Sequence, residues 1–276
     1  MARLADEGAD VDANRAEVVS CRTFREVFQR VEVGAAAMGL LPIENSLTGS
    51  IHEVYDLLLE FPLSIVGEVF QPIEHKLLGL PGASLEHIKH VYSHPQALWQ
   101  CERFLSALSA KQHAFYDTAG AAKWVAEQRN PHYAAIAGPL AARLYRLEVL
   151  CERIADYEHN ITRFLLVAPA SFHLAAQTRA QDQGAAQNWK TSLVIELSHV
   201  PGALYRALGI FAAHRLNLTK LESRPLRTEP WRYRFYLDFE GRVSDPAAQR
   251  ALQQLEACVQ GVKVLGSYPQ GRGEPS

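Results

Sequence analysis

The chain has 276 residues, 48% of them hydrophobic and 21% charged, with a formal net charge of −2. That length suits one large domain or two ordinary ones with a sizeable core. The balance leaves no basic excess for nucleic acid or anionic lipid, and the charged opening MARLADEGADVDANR has no long apolar run, so neither a signal peptide nor a membrane span is expected. Cys21, Cys101, Cys151 and Cys258 lie far apart, which argues against a zinc site and fits free thiols in a reducing, cytoplasmic compartment.

In chain order, Cys21–Glu32 reads as helical. Ala37–Pro42 reads as a short buried strand entering Ile43–Ser46, Ile51–Glu60 as a helix and Leu63–Pro72 as a strand. Val91–His94 is a strand leading to a helix over Gln96–Ala107. Phe115–Asp117 precedes a helix over Ala119–Gln128. Ala134–Ala137 is a strand, Leu140–Tyr145 a helix and Arg163–Val167 a strand. Repeated strand–helix alternation implies an α/β domain with covered sheet faces. Residues 171–190 are polar and rich in Gln and Ala, and read as a linker. Beyond it come a strand over Thr191–Ser198, a helix over Ala203–His214 opened by Pro201 and Gly202, and strands over Leu216–Ser223 and Arg232–Phe239. A helix over Ala247–Val259, capped by Asp245, and a strand over Val262–Ser267 follow. This βαββαβ order is the split ferredoxin-like arrangement.

Four polar clusters fall at strand-to-helix junctions: Glu44-Asn45-Ser46, Ser93-His94-Pro95-Gln96, Asp117-Thr118-Ala119-Gly120 and Asn160-Ile161-Thr162-Arg163. α/β sheets bind ligands at loops after strand carboxyl ends, and helix N-termini offer unsatisfied N–H donors to anions. Each cluster taken alone reads as plain helix capping, with Thr118 at the cap position. Four together describe a cleft of neutral donors suited to a carboxylate-bearing metabolite. Arg163 is either a bidentate carboxylate clamp or a solvated arginine at a strand start. His94 is either a general acid or a structural histidine. No Gly-rich phosphate loop, Ser-His-Asp set or HExxH motif is readable.

LPIENSLTGSIHEVYDLLL (Leu41–Leu59) resembles the P-I-E-N-S motif of prephenate dehydratases. YSHPQALWQC (Tyr92–Cys101) and YDTAGAAKWVA (Tyr116–Ala126) resemble two further motifs of that family. IADYEHNITRF (Ile154–Phe164) resembles its D-x-x-x-N-x-T-R-F signature, with Asp156, Asn160, Thr162, Arg163 and Phe164 in place. HVPGALYRAL (His199–Leu208) and NLTKLESRP (Asn217–Pro225) resemble the ACT regulatory domain of these enzymes. The resemblance runs from about Glu17 to Tyr268.

The resemblance implies a two-lobed α/β catalytic domain, similar to type II periplasmic binding proteins, over residues 1–170. Lobe 1 takes residues 1–75 and 155–170, and lobe 2 takes 76–154. An ACT domain over 191–268 and a tail over 269–276 complete the chain. It implies conversion of prephenate to phenylpyruvate, water and carbon dioxide without metal or organic cofactor. Thr162 is the residue tied to catalysis. Asn45, Ser46, Ser93, Gln96, Thr118, Ala119, Gly120, Arg163 and Phe164 are expected at the substrate, with bracing of the interlobe hinge as the alternative for Arg163. L-phenylalanine is the expected effector, bound between two ACT copies of a homodimer or homotetramer by Gly202, Ala203, Leu204, Asn217, Leu218, Glu222, Ser223 and Arg224. Family members usually open with a strand and a loop resembling Y-x-G-P-x-G-x-F-S, which this sequence lacks. The expectations drawn from that lack are an obligate oligomer with a wider cleft and weakened dehydratase activity, with the alternative that the chain acts as a phenylalanine-binding sensor or on another small carboxylate, ester or lactone.

Overall fold

A computed structural model describes residues 17–171, 188–226 and 229–271. The first helix, α1, spans Phe24–Glu32; it starts there because the Thr23 hydroxyl accepts from the Glu26 N–H at 3.1 Å, as a helix cap should. The next strand, β1, runs over Gly39–Asn45. It continues past Pro42, so Glu44 and Asn45 lie inside the strand and not at a strand-to-helix junction. A tight turn leads to β2 (Gly49–Ser50), antiparallel to β1, and only then to α2 (His52–Glu60). β3 occupies Leu63–Pro72, as expected.

Besides β2, three strands escape the sequence pattern: β4 (Lys76–Gly79), β6 (Lys111–Ala114) and β8 (Glu148–Cys151). They join β5 (His90–Ser93) and β7 (Tyr133–Ala137) in a five-stranded sheet ordered β6-β5-β7-β4-β8. β5 runs parallel to β6 and β7, while β4 is antiparallel to β7 and β8. Both faces are covered by apolar clusters, one built around Leu77, Val91 and Ile136, the other around Leu78, Ala122, Val125 and Ala135. The helix expected over Gln96–Ala107 is broken into α3 (Pro95–Trp99) and α4 (Glu102–Leu108). The break has a local cause: the Gln100 carbonyl accepts from the Asp156 N–H at 2.7 Å instead of from the next helical turn. α5 spans Thr118–Gln128, and its cap is Asp117 rather than Thr118, because the Asp117 carboxylate accepts from the Gly120 N–H. α6 covers Pro139–Tyr145.

β9 (Ile161–Pro169) lies between β1 and β3 in a four-stranded sheet ordered β2-β1-β9-β3. The C-terminal module contains β10 (Trp189–Glu196), α7 (Ala203–Ala213), β11 (Leu218–Pro225), β12 (Tyr233–Glu240), α8 (Pro246–Glu256) and β13 (Gly261–Pro269). Its antiparallel sheet has the order β11-β12-β10-β13, the ferredoxin-like arrangement expected. β10 begins inside the expected linker, at Trp189; residues 172–187 of that linker lie outside the described residues, as does the opening segment 1–16. Asp245 stands at the cap position of α8 but does not cap it. Its carboxylate accepts instead from the Arg242 N–H at 2.7 Å.

The chain divides into two compact units, residues 1–71 with 163–276, and residues 72–162. In the first, the module's sheet is buried on both faces at its central strand, which explains why seven of the eight residues of β10 are buried rather than alternating. One face meets α7 and α8 through Leu193, Ile195, Leu237 and Phe239. The other shares a core with β3 and β9: Ile65 and Leu165 pack with Val194, Tyr236, Leu265 and Tyr268. Gly266 allows this approach, because a Cβ there would collide with the Ile65 carbonyl oxygen.

Candidate functional site

At the end of β1, the Asn45 side-chain oxygen accepts from the N–H groups of Leu47 and Thr48 at 3.1 and 3.2 Å, and from the Thr48 hydroxyl at 3.2 Å. This is the Asx-type turn that short amides build. Asn45 is buried and shapes the loop, whereas Ser46 at its tip is exposed.

In the second unit the expected ligands divide into two groups. Ser93 is fully buried and donates to the Ile136 carbonyl at 2.7 Å, tying β5 to β7. The expectation that it meets a substrate is therefore corrected to a structural role. His94 caps α3, its Nδ1 accepting from the Gln96 N–H at 3.2 Å, a structural contact that leaves Nε2 as the donor nitrogen. Gln96 and Thr118 are part-exposed and Ala119 is exposed. The space at Gly120 is filled by the Tyr116 ring, so this glycine accommodates a neighbouring side chain rather than a close ligand.

The signature residues Asp156 and Asn160 organise a polar knot that sequence reasoning missed. His75 Nε2 lies 2.6 Å from Gln100 Oε1, and Asn160 Nδ2 donates to the same oxygen at 3.1 Å. The amide oxygen of Gln100 can only accept, so Nε2 carries the hydrogen. All three residues are buried, and burial lowers the His75 pKa while its bond to Gln100 opposes this. The Asn160 carbonyl accepts from Ile73 N–H at 2.8 Å, and Asp156 pairs with Arg103 at 3.4 Å.

β9 then carries Thr162, which is buried, and Arg163. Arg163 is not available as a substrate clamp. Its Nε donates to Glu68 at 2.7 Å, Nη1 to Asp238 at 2.7 Å and Nη2 to the Tyr268 hydroxyl at 3.1 Å. Lys190 pairs with the other Glu68 oxygen at 3.0 Å. The expectation of a carboxylate clamp gives way because two protein carboxylates already neutralise these two cations. Burial opposes the charge on Arg163, but Asp238, Tyr268 and Glu68 hold its pKa above the ordinary value. Burial, followed by Asp238, likewise keeps the Tyr268 hydroxyl protonated. Phe164, next along the strand, is part-buried.

In the C-terminal module, Gly202 adopts φ +77° ahead of α7. Ala203 and Leu204 line a cavity of about 150 Å³ together with Ser198, His199, Tyr233 and Phe235. Asn217 is exposed and donates to Glu240, while Leu218 packs into the module's own core. Along β11 the side chains alternate, so that Ser223 is exposed while Lys220, Glu222 and Arg224 turn the other way. Glu222 accepts from Ser50 at 2.8 Å and lies 3.1 Å from His52; Arg224 meets Asp56 at 3.0 Å, and Lys220 meets Glu44 at 2.7 Å. The expectation that Glu222 and Arg224 hold the effector is thus corrected: both bind the β2–α2 region of the same chain.

These parts define an α/β fold with polar turns at its strand ends and a ferredoxin-like module built onto one unit. Residues 5–171 match the family model of prephenate dehydratase, and residues 191–257 match that of the ACT domain. The chain belongs to the prephenate dehydratase family. It is 44% identical over 262 residues to arogenate dehydratase/prephenate dehydratase 2, chloroplastic, of Arabidopsis thaliana, aligning 92% of the chain with 66% of that protein. It is 37% identical over 250 residues to the bifunctional chorismate mutase/prephenate dehydratase of Enterobacter agglomerans, aligning 90% of the chain with 62% of that protein. Among solved structures, prephenate dehydratase from Arthrobacter aurescens in complex with L-Phe is 30% identical with a TM-score of 0.80, covering 96% of this chain and 85% of that one. GqqA, described as a novel type of quorum quenching acylase, is 34% identical with a TM-score of 0.79, covering 91% of this chain and 89% of that one.

Proposed function

We propose that the chain is a dehydratase that removes the ring hydroxyl and ring carboxylate of prephenate, or of its amino-acid counterpart arogenate. The observation that carries this is the D-x-x-x-N-x-T-R-F signature within a family match spanning residues 5–171, with Thr162 fixed on β9. The reaction is driven by aromaticity. As the carboxylate carbon leaves as carbon dioxide, its bonding electrons enter the ring, the ring C–O bond breaks, and the departing hydroxide takes a proton to become water. Thr162 donates an oriented hydrogen bond to that leaving oxygen. Donors placed where charge develops typically contribute about 10²–10³ in rate. Ser46, Gln96, Thr118 and Ala119 remain the residues proposed to orient the substrate. L-phenylalanine acts as effector at the Gly202–Leu204 loop, and copies of the module pair as a homodimer or homotetramer. The A. aurescens structure with L-Phe supports the effector reading. Four free cysteines support a reducing compartment such as the cytoplasm. The test is to incubate the purified protein with prephenate and with arogenate in turn and follow phenylpyruvate or phenylalanine. A second reading, hydrolysis of a small ester, lactone or acyl amide, rests on the likeness to GqqA. Acyl-bond cleavage in place of ring aromatisation would favour it.

A further inference from the structure

The buried polar groups around Arg163 form a closed ring with one self-consistent set of donors. Ser192 Oγ lies 2.6 Å from Asp238 Oδ1 and 2.6 Å from the Tyr268 hydroxyl. A carboxylate only accepts, so the single Ser192 proton goes to Asp238. Tyr268 must then donate to Ser192, which leaves its oxygen to accept from Arg163 Nη2 at 3.1 Å. Arg163 Nη1 closes the ring on the second Asp238 oxygen at 2.7 Å. Outside the ring, Glu68 takes Arg163 Nε, Lys190 and the Gly271 N–H. Each of these side chains is less than a tenth exposed.

Asp238, Ser192 and Tyr268 belong to β12, β10 and β13 of the C-terminal module, while Arg163 directly follows Thr162 on β9. Successive side chains on a strand point to opposite faces. A guanidinium held by three partners therefore fixes the roll of β9 at position 163 and so the direction in which Thr162 points. Threonine is β-branched, and its χ1 has little freedom of its own, so its hydroxyl follows the backbone. We infer that Asp238 and Tyr268 are positioning residues for Thr162, so that the regulatory module supplies part of the frame that aims the catalytic hydroxyl. This rests on the dehydratase reading. It makes the module's sheet a direct participant in turnover, and it gives any effector that shifts that sheet a short path to Thr162 through the hydrogen bonds of Arg163.

The test uses the full chain. Tyr268→Phe removes one hydroxyl and leaves both charges paired, so it should fold; Asp238→Asn is the stronger variant. With prephenate or arogenate, whichever the wild type turns over, kcat of Tyr268→Phe should fall on the order of tenfold with KM unchanged, since misplacing a catalytic group by about 1 Å costs up to about a hundredfold. Arg163→Lys should lower kcat as well, because an ammonium cannot reproduce the fork. A brace with no positioning role would lower the fraction folded and leave kcat per folded site at the wild-type value, and that result overturns the inference. A rise in KM with unchanged kcat overturns it too. A wild-type protein inactive on both substrates refutes the dehydratase reading instead.

Discussion

Replacing Asp238 with leucine removes one of the two buried anions that balance Arg163 and Lys190. In the native protein Arg163, Lys190, Glu68 and Asp238 sum to zero charge, and none is more than 8% exposed. Asp238→Leu leaves two cations facing Glu68 alone. Breaking a buried pair by removing one partner costs about 3–5 kcal/mol, because the survivor is an uncompensated buried charge. That is a large share of a typical net stability of about 5–15 kcal/mol. Pairing it with Arg163→Met takes out a cation as well, leaving Lys190 and Glu68 3.0 Å apart as a neutral pair. Swapping a whole buried pair for apolar side chains is often neutral or stabilising. The double variant should therefore regain most of the loss, while kcat stays low because β9 has lost its anchor. Urea unfolding at two salt concentrations measures this, and the cost should barely respond to salt, since buried pairs are poorly screened. A loss below about 1 kcal/mol for Asp238→Leu, or additive losses in the double variant, would refute the closed-network account.

Gly266→Ala should destabilise by about 1–3 kcal/mol, as overpacking does, because its Cβ would meet Ile65 of β3; thermal unfolding checks this. The lowered pKa of buried His75 means that the unfolded chain takes up a proton more readily than the native protein. Its contribution is therefore present above the ordinary histidine value of about 6.5 and is lost as pH falls below it. His75→Gln keeps a donor toward Gln100 and should flatten the decline of unfolding free energy from about pH 7 to 5.5, as compared by urea titrations of the two proteins.

The fold was legible where side-chain pattern and local chemistry agree. Leu63–Pro72 is a strand to the residue, and the βαββαβ order of the module could be read from its turns and apolar runs. The strands that escaped are short and atypical: Lys111–Ala114 is mostly exposed at a sheet edge, and Lys76–Gly79 has only four residues. Around the site, residue types were informative but their partners were not. Ser93 has the chemistry of a ligand, and only the fold shows that the Ile136 carbonyl takes its proton. Arg163 meets Glu68 and Asp238, 95 and 75 residues away, and Glu222 meets Ser50 at a separation of 172. No local spacing encodes such pairs. The polar positions of β11 at Lys220, Glu222 and Arg224 do alternate, a signal that one face of that strand meets a polar partner.

The central claim is that Thr162 assists loss of the ring hydroxyl. The direct measurement is kcat and KM of the wild-type protein, Thr162→Ala and Thr162→Ser with prephenate and with arogenate. The account predicts that Thr162→Ala loses about 10²–10³ in kcat with little change in KM, and that Thr162→Ser keeps much of the rate. A folded Thr162→Ala protein that turns over at the wild-type rate would contradict it.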